Sequence, residues 1–172
     1  MYHINIYFEN TYIYTSIKFI MSVVRVGAWG GSGGTGQWTY LVPASTRLQQ
    51  IQVVTNGRCI YSIQFIGFNQ QTNRLVNSEL YGNDANLDDG TTYTVEIPNG
   101  QHLSTISGTF GTYQDLSNII TSLSFRVGRN LMEFGGKTGT TFSLPVNRGV
   151  IKGFFGNSGD YLDSLGVVIA PL

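Results

Sequence analysis

The feature that most constrains this chain is the regular alternation of short apolar runs with turn-forming residues. Turn signals such as Asn56-Gly57, Asp89-Gly90 and Gly135-Gly136 separate the runs, and no run carries a capped helical period. Strands at such spacing without helices between them predict an all-β sandwich, barrel or prism. The predicted strands are Val23–Val26, Leu48–Val54, Ile60–Phe68, Thr92–Ile97, Leu103–Phe110, Ile119–Val127, Phe142–Pro145, Val150–Phe155 and Leu162–Ile169.

A faint recurrence suggests that the strands form three similar groups. Aromatic residues followed by a Gly-rich turn occur near Trp29–Gly36, near Ser107–Gly111 and near Phe154–Gly159. Recurrence of this kind predicts a pseudo-repeat of three units, each too small to close its own core.

Composition narrows the classes of partner. The chain has ten basic and ten acidic residues, and 12% of its residues are charged, so neither nucleic acid nor an anionic membrane is expected as a partner. The single cysteine, Cys59, excludes an internal disulfide, and an oxidising compartment is therefore not indicated. Because Cys59 begins the apolar run that ends at Ile63, we interpret it as a small buried hydrophobe.

The first twenty residues differ from the rest, since they are rich in Asn, Ile, Tyr and Phe and contain no Gly. Polar residues interrupt every apolar stretch, which excludes a secretory signal and a bilayer span. We therefore predict an extension over residues 1–22, flexible or non-native, and one domain over residues 23–172. The alternative is an added edge strand, because Ile4 to Tyr14 has strand-like composition. We expect a cytoplasmic or nucleo-cytoplasmic protein without membrane insertion.

The C-terminal segment from Gly153 to Gly166 carries the most functional information. Gly159 permits a tight turn in which successive backbone N–H groups converge. Asp163 follows four residues later and places an acceptor-only carboxylate beside those donors, a combination that vicinal sugar hydroxyls need. The structural alternative is that Asp163 only bonds its own turn.

The Gly-rich segment from Gly27 to Gly36 does not fit a phosphate loop. A phosphate loop must lead into a helix, whereas the following residues, Gln37 to Tyr40, have strand composition. The sequence Gly136-Lys137-Thr138 imitates the end of a Walker motif, but the position of the required first Gly is occupied by Leu131.

Three ordered motifs resemble those of the jacalin-related lectins, and most closely those of the mannose-binding branch. They are Trp29-Gly30-Gly31-Ser32-Gly33-Gly34, Ile106-Ser107-Gly108-Thr109-Phe110-Gly111, and Gly153-Phe154-Phe155-Gly156 continuing to Gly159-Asp160-Tyr161-Leu162-Asp163. The resemblance covers about Val24 to Leu172. It implies a β-prism of three four-stranded Greek-key sheets with pseudo-threefold symmetry, and a sugar site that needs neither metal nor cofactor.

The same resemblance implies roles for individual residues. The Gly-x-x-x-Asp motif falls on Gly159 to Asp163, so the Asp163 carboxylate would accept sugar hydroxyls while the N–H groups of Asp160 and Tyr161 donate. The Gly34 N–H would donate from the opposite loop. Tyr161 and Tyr113 would flank the sugar with their rings.

Further implications concern specificity and valency. The unbroken loop Gly33–Gly36 favours mannose over galactose, and mannose-containing glycans or glycoproteins are the expected partners. We expect roughly millimolar monovalent affinity and therefore a homo-oligomer, by default a dimer. The segments that would match the motif on the other sheets, Gly57 to Tyr61 and Gly82 to Asn86, lack the final Asp, which predicts one site per chain.

Two other classes of function compete. A glycosidase would need Asp160 and Asp163 on both sides of a bond, whereas one tight turn presents both from the same side. His102 is the single histidine outside the N-terminal extension, so a Ser–His–Asp set has no local signature. We therefore predict that the chain is not an enzyme. A protein-interaction module without sugar binding is the alternative reading of the same fold.

Overall fold

The computed structural model describes residues 3–8, 11–16, 23–34, 36–83 and 89–171, the first two segments by backbone alone. All regular structure in these residues is β-strand. The strands are β1 (His3–Phe8), β2 (Thr11–Ser16), β3 (Val24–Gly30), β4 (Gly36–Leu41), β5 (Thr46–Thr55), β6 (Ile60–Asn69), β7 (Arg74–Asn77), β8 (Tyr81–Gly82), β9 (Thr91–Glu96), β10 (Leu103–Tyr113), β11 (Leu116–Val127), β12 (Asn130–Gly135), β13 (Thr140–Pro145), β14 (Gly149–Ser158) and β15 (Ser164–Pro171).

Three antiparallel sheets share one topology. Sheet III has the order β12-β11-β10-β13, and sheet II has the order β7-β6-β5-β9 with β8 added beside β6. In each sheet three strands follow one another through hairpins and the fourth returns beside the first, which is a Greek key. Sheet I, with the order β3-β15-β14-β4, becomes the same Greek key when β14 and β15 are read as preceding β3 and β4. The predicted threefold arrangement of Greek-key sheets is therefore confirmed, with one sheet assembled from strands at both ends of the domain.

The predicted strands are confirmed, because each apolar run overlaps a strand and Gln37–Tyr40 lies within β4. One assignment was wrong. The segment beginning at Gly82 is not a third-sheet counterpart of the Gly-x-x-x-Asp motif, because Gly82 pairs with Ser62 on sheet II. The equivalent hairpin of sheet III is β10–β11. Residues 84–86 of that segment lie outside the described residues.

The N-terminal strands pair with each other. β1 and β2 form a two-stranded antiparallel sheet in a register that runs from His3↔Ser16 to Phe8↔Thr11. The strand predicted from the composition of this segment is thus confirmed. However, β1 and β2 pair with each other and do not add to the edge of a prism sheet. The proposed boundary after residue 22 and the flexibility of residues 1–22 stay predictions.

The core lies where the inner faces of the three sheets meet. Phe65, Phe125 and Phe154, one from each sheet, are fully buried, and the Phe65 and Phe154 rings stack with centroids 4.2 Å apart. Each buried ring of this size stabilises the fold by about 1.5–3 kcal/mol. Cys59 is also buried, and burial raises the pKa of its thiol to about 12, as expected for a small hydrophobe rather than a nucleophile.

Candidate functional site

The loop between β14 and β15 is built around one buried leucine. The side chain of Leu162 is fully buried in the central core. Its N–H donates to the Ile60 carbonyl on sheet II at 3.1 Å, and its carbonyl accepts the Ile120 N–H of sheet III at 2.9 Å. The loop is therefore hydrogen bonded to both neighbouring sheets at the point where all three converge.

The loop leaves two backbone donors unpaired. The Gly159 N–H donates to the Tyr161 carbonyl at 3.0 Å and closes the tight turn. Within the described part of the chain, neither the Asp160 N–H nor the Tyr161 N–H has a protein acceptor. These are the two amides that the family resemblance of the motif implies as donors to sugar oxygens.

Asp163 presents an unpaired acceptor beside those amides. The residue is 8% exposed, and its Oδ2 is buried without a hydrogen-bond partner. Burial raises the pKa of this carboxyl, and the charge of Asp160 adds to the effect, whereas the Gly159 N–H partly offsets it. Three other buried polar side-chain atoms of the described residues lack a partner, on Trp38, Tyr40 and Ser62, but none of these residues lines the same pocket.

The Gly-rich loop after β3 closes over the Asp163 carboxylate. The Gly31 N–H donates to the Asp163 carbonyl at 3.0 Å, which fixes the loop against the start of β15. Gly34 adopts φ +73°, and a Cβ there would overlap Asp163 Oδ2 and lie 2.5 Å from the Ser158 carbonyl oxygen. Only glycine allows this approach, and the Gly34 N–H has no acceptor among the described residues.

The resulting pocket has a volume of about 480 Å³ and draws on all three sheets. It unites five of the six residues singled out from the sequence: Gly34, Gly159, Asp160, Tyr161 and Asp163. Lining residues that the sequence did not indicate are Leu80, Gly82, Asn83, Leu116 and Ser158. Leu80 and Leu116 are 36% and 43% exposed, so they give the pocket an apolar rim suited to the C–H faces of a sugar.

Tyr113 lies behind the pocket rather than among its lining residues. Its ring packs edge-on against Tyr161 with centroids 5.8 Å apart, and Tyr61 packs on Tyr161 at 5.3 Å. The Tyr113 hydroxyl accepts a hydrogen bond from Asn56 Nδ2 at 2.9 Å. In this position Tyr113 supports the Tyr161 ring. Its direct contact with a sugar stays a prediction.

The other two sheet hairpins lack a comparable loop. At the β5–β6 turn the motif position of Asp163 is taken by Tyr61, whose hydroxyl donates to Asp89 Oδ1 at 2.7 Å. The β10–β11 hairpin carries the same spacing from Gly111 to Asp115, which sequence reasoning missed. There Tyr113 pairs with Leu116, so Asp115 is exposed at the tip of a tight turn, whereas Asp163 is only 8% exposed.

Two features of other protein classes are absent from the described residues. These residues contain no helix long and apolar enough to cross a membrane. They also contain no group of three or more His, Cys, Asp or Glu side chains placed to hold a metal ion.

Comparison with known proteins identifies relatives along most of the chain. Residues 26–168 match the family described as the Jacalin-like lectin domain. A mannose/glucose-specific lectin from Parkia pendula is 36% identical over 96% of this chain and 36% of its own length, and horcolin from Hordeum vulgare is 29% identical over 86% of this chain and 97% of its own. The chain thus spans about a third of the Parkia lectin.

Solved structures show the same architecture. A mannose-binding jacalin-related lectin from Ananas comosus superposes with a TM-score of 0.75 at 29% identity, covering 87% of this chain and 99% of its own. Calystegia sepium agglutinin superposes with a TM-score of 0.76 at 27% identity, covering 89% of this chain and 99% of its own. The β-prism predicted from the sequence is confirmed.

Proposed function

This chain belongs to the jacalin-like lectin domain family, and from that membership we propose that it binds mannose- and glucose-type sugars in the pocket at the β14–β15 loop. Lectins bind carbohydrate without converting it, so the family is not one of enzymes. Two of the relatives named above are described as mannose/glucose-specific or mannose-binding. We propose mannose-containing glycans or glycoproteins as the partners of this site.

The observation that carries the proposal is the set of unpaired polar atoms that face one pocket. Asp163 Oδ2 is a buried acceptor, and the N–H groups of Gly34, Asp160 and Tyr161 are donors without protein partners in the described residues. A buried polar atom without a partner is unfavourable, so it marks a position where a ligand supplies the missing bond. Adjacent sugar hydroxyls both donate and accept, and they match this mixed set.

We propose that binding needs no metal and that each chain has one site. Asp163 Oδ2 and the three backbone N–H groups would each form a hydrogen bond directly with the sugar, without a metal ion between them. On sheet II the motif position of Asp163 is taken by Tyr61, and on sheet III Asp115 is exposed at the tip of a tight turn, whereas Asp163 is buried, which supports a single site. Weak monovalent binding would then gain strength through a homo-oligomer, with a dimer as the default, and sedimentation equilibrium of the purified chain tests that assembly.

Calorimetric titration with methyl α-D-mannopyranoside tests the site. Asp163→Asn keeps the shape and removes the charged acceptor, and hydrogen bonds to charged groups contribute about 1.5–3 kcal/mol each. We expect the affinity of Asp163→Asn to fall at least about tenfold. Asp160→Asn is the matched control, because the proposal uses the backbone of Asp160 and not its exposed carboxylate, and its affinity should stay within about threefold.

Equal mannose binding by a folded Asp163→Asn protein would show that the site assignment is wrong. If the folded wild-type chain bound no sugar on a glycan array, sugar binding itself would be contradicted and the protein-interaction alternative would be favoured.

A further inference from the structure

A second cavity opens at the end of the prism opposite the proposed sugar site. Its volume is about 230 Å³. Strand β14 connects the two places, because Val150 to Lys152 line this cavity and Ser158, the last residue of the strand, lines the sugar pocket. At about 3.3 Å per residue, Ile151 and Ser158 are roughly 23 Å apart. We call this second cavity the basal cavity.

The floor of the basal cavity is apolar and draws on all three sheets and their connections. It consists of Val42, Leu48, Ile97, Leu103, Val150 and Ile151. Three of these side chains, Ile97, Leu103 and Ile151, are between 2% and 7% exposed, so the cavity reaches down to the core. A small hollow with an apolar floor favours the apolar body of a fragment-sized ligand.

A fixed guanidinium lies at the side of the floor. Arg47 Nη1 donates to the Ile97 carbonyl at 3.0 Å, and Nη2 donates to Gln49 Oε1 at 3.1 Å. These bonds use two of the five N–H donors of the group and hold its plane in place. The remaining donors of a positioned guanidinium are suited to a carboxylate, which it binds in a planar, bidentate manner.

The positive charge at this rim is not neutralised by the protein. Lys152 is exposed at the same rim, and no residue that lines the cavity is acidic. In the described part of the chain neither Arg47 nor Lys152 lies within ion-pair distance of a carboxylate. Glu96, next to Ile97 in sequence, is hydrogen bonded by Gln50 at 2.9 Å and does not line the cavity. In a chain of zero net charge, the basal cavity is a local cationic site.

We infer that the basal cavity binds a small organic anion with an apolar body, most directly a carboxylate. The carboxylate bridges Arg47 and Lys152, while the hydrocarbon part covers the floor between Leu48 and Ile151. Gln101 and His102 line the same cavity and offer further hydrogen-bonding groups to the rest of the ligand. This inference does not depend on sugar binding, because the two pockets share no lining residue.

Titration of the full ¹⁵N-labelled chain with 4-phenylbutyrate tests the inference, with 4-phenylbutyramide as the neutral match. We expect saturable chemical-shift changes of the backbone amides of Leu48, Ile97, Leu103 and Ile151. The Kd of 4-phenylbutyrate should be about 1 mM, as expected for a ligand of this size, and 4-phenylbutyramide should bind at least about tenfold more weakly. Lys152→Gln and Arg47→Lys should each weaken carboxylate binding about threefold, the first by removing a charge and the second by removing the planar donor pair.

Lys137→Gln is the matched control, because Lys137 pairs with Glu133 at 2.8 Å on sheet III and does not line the cavity, so it should leave the titration unchanged. Preserved dispersion of the amide spectrum checks that each variant is folded. The inference is overturned if basal amides do not shift at about 20 mM carboxylate. It is also overturned if 4-phenylbutyrate and 4-phenylbutyramide bind with equal affinity, or if Lys152→Gln and Arg47→Lys both bind 4-phenylbutyrate as tightly as the wild type does.

Discussion

The β14–β15 loop and the β5–β6 turn occupy equivalent places in their Greek keys, yet their polar groups are used in opposite ways. In the β5–β6 turn, Asn56 Oδ1 accepts the N–H groups of Arg58 and Cys59 at 3.0 and 3.1 Å. Its Nδ2 lies within hydrogen-bond distance of the hydroxyls of Tyr61 and Tyr113 and of the Asp89 carboxylate. Every hydrogen-bonding atom of this side chain has a protein partner.

In the β14–β15 loop the carboxylate of Asp163 keeps one oxygen unpaired, and two backbone donors beside it have no protein acceptor in the described residues. A turn whose polar groups satisfy one another stabilises the fold, whereas a loop that gathers unpaired groups is ready to bind a ligand. The same place in a repeated topology therefore serves structure on sheet II and, in our proposal, recognition on sheet I.

The strongest test of this difference is Gly34→Ala compared with Gly57→Ala. Both glycines have positive φ, +73° and +79°, so both substitutions cost about 1 kcal/mol in backbone strain. A Cβ at Gly57 meets no atom within 4 Å, whereas one at Gly34 collides with Asp163 and Ser158. We expect Gly34→Ala to lower the mannose affinity about a hundredfold and to lower the free energy of unfolding by about 2–3 kcal/mol.

Gly57→Ala should lower the free energy of unfolding only by the backbone strain of about 1 kcal/mol, and its affinity for mannose should not change. Calorimetry and urea unfolding of the two variants measure the contrast. Loss of affinity in both variants, or in neither, would contradict the assignment of the site to sheet I.

Asn56→Ala should affect stability rather than binding. It removes the acceptor of two turn amides and leaves the buried Tyr61 hydroxyl without one partner, so we expect a loss of about 2–3 kcal/mol in the free energy of unfolding. Asn69→Ala is the matched control, since Asn69 Oδ1 accepts the Gln71 and Thr72 amides at 2.9 and 3.0 Å in an exposed turn, and it should cost about 1 kcal/mol.

Urea unfolding measures both values, and mannose affinity of Asn56→Ala should remain within about threefold of the wild type. Loss of sugar binding without loss of stability would reverse the roles that we assign to the two hairpins.

A fall in pH should change the stability contributed by the two hairpins in opposite directions. Burial raises the pKa of Asp163 above its usual value, so protonation of this group favours the folded state while it removes the acceptor that sugar needs. The pKa of Asp89 is lowered, first by the Tyr61 hydroxyl and then by Asn56, so its contribution to stability is present above the unfolded pKa and is lost as pH falls through the folded pKa.

Mannose affinity should therefore fall as pH drops through the raised pKa of Asp163, about tenfold for each unit below it, before acid weakens the Asp89 contacts. Titrations between about pH 7 and pH 4 measure this dependence. Affinity that stays constant over the range would show that the Asp163 charge is not used.

The smallest effect is expected for Tyr113→Phe. Three acceptors surround the two Nδ2 hydrogens of Asn56, so removal of the Tyr113 hydroxyl leaves no donor unpaired and should cost about 0.5 kcal/mol. Mannose affinity should not change, since the ring that supports Tyr161 remains. Tyr113→Ala removes that ring, and an unchanged affinity in this second variant would exclude Tyr113 from the site.

Much of the fold could be predicted because its long strands carry runs of buried apolar residues, as in β5, β6, β11 and β14. The three missed strands are short or lie at sheet edges. All four residues of β7 are exposed, β8 has two residues, and β12 contains no fully buried position, so none has a strong apolar period. Their pairing depends on neighbouring strands and not on their own composition.

The residues of the site also divide into those that the sequence predicts and those that only the structure reveals. Gly159 and Asp163 could be predicted because their spacing within one loop is a local property. Leu80 and Leu116 come from the other two sheets, and an apolar residue beside a turn gives no local sign of lining a pocket. The partner of the Tyr113 hydroxyl is Asn56, 57 residues away, so only the assembled prism reveals that Tyr113 stands behind Tyr161.

The two backbone hydrogen bonds of Leu162 have a consequence for how the protein loses its ligand on heating. Many binding loops open locally at little free energy, but this one is tied to sheets II and III through Ile60 and Ile120. The Leu162 amide should therefore exchange with deuterium only when the whole prism opens. Recognition and folding would then fail together in a single cooperative transition.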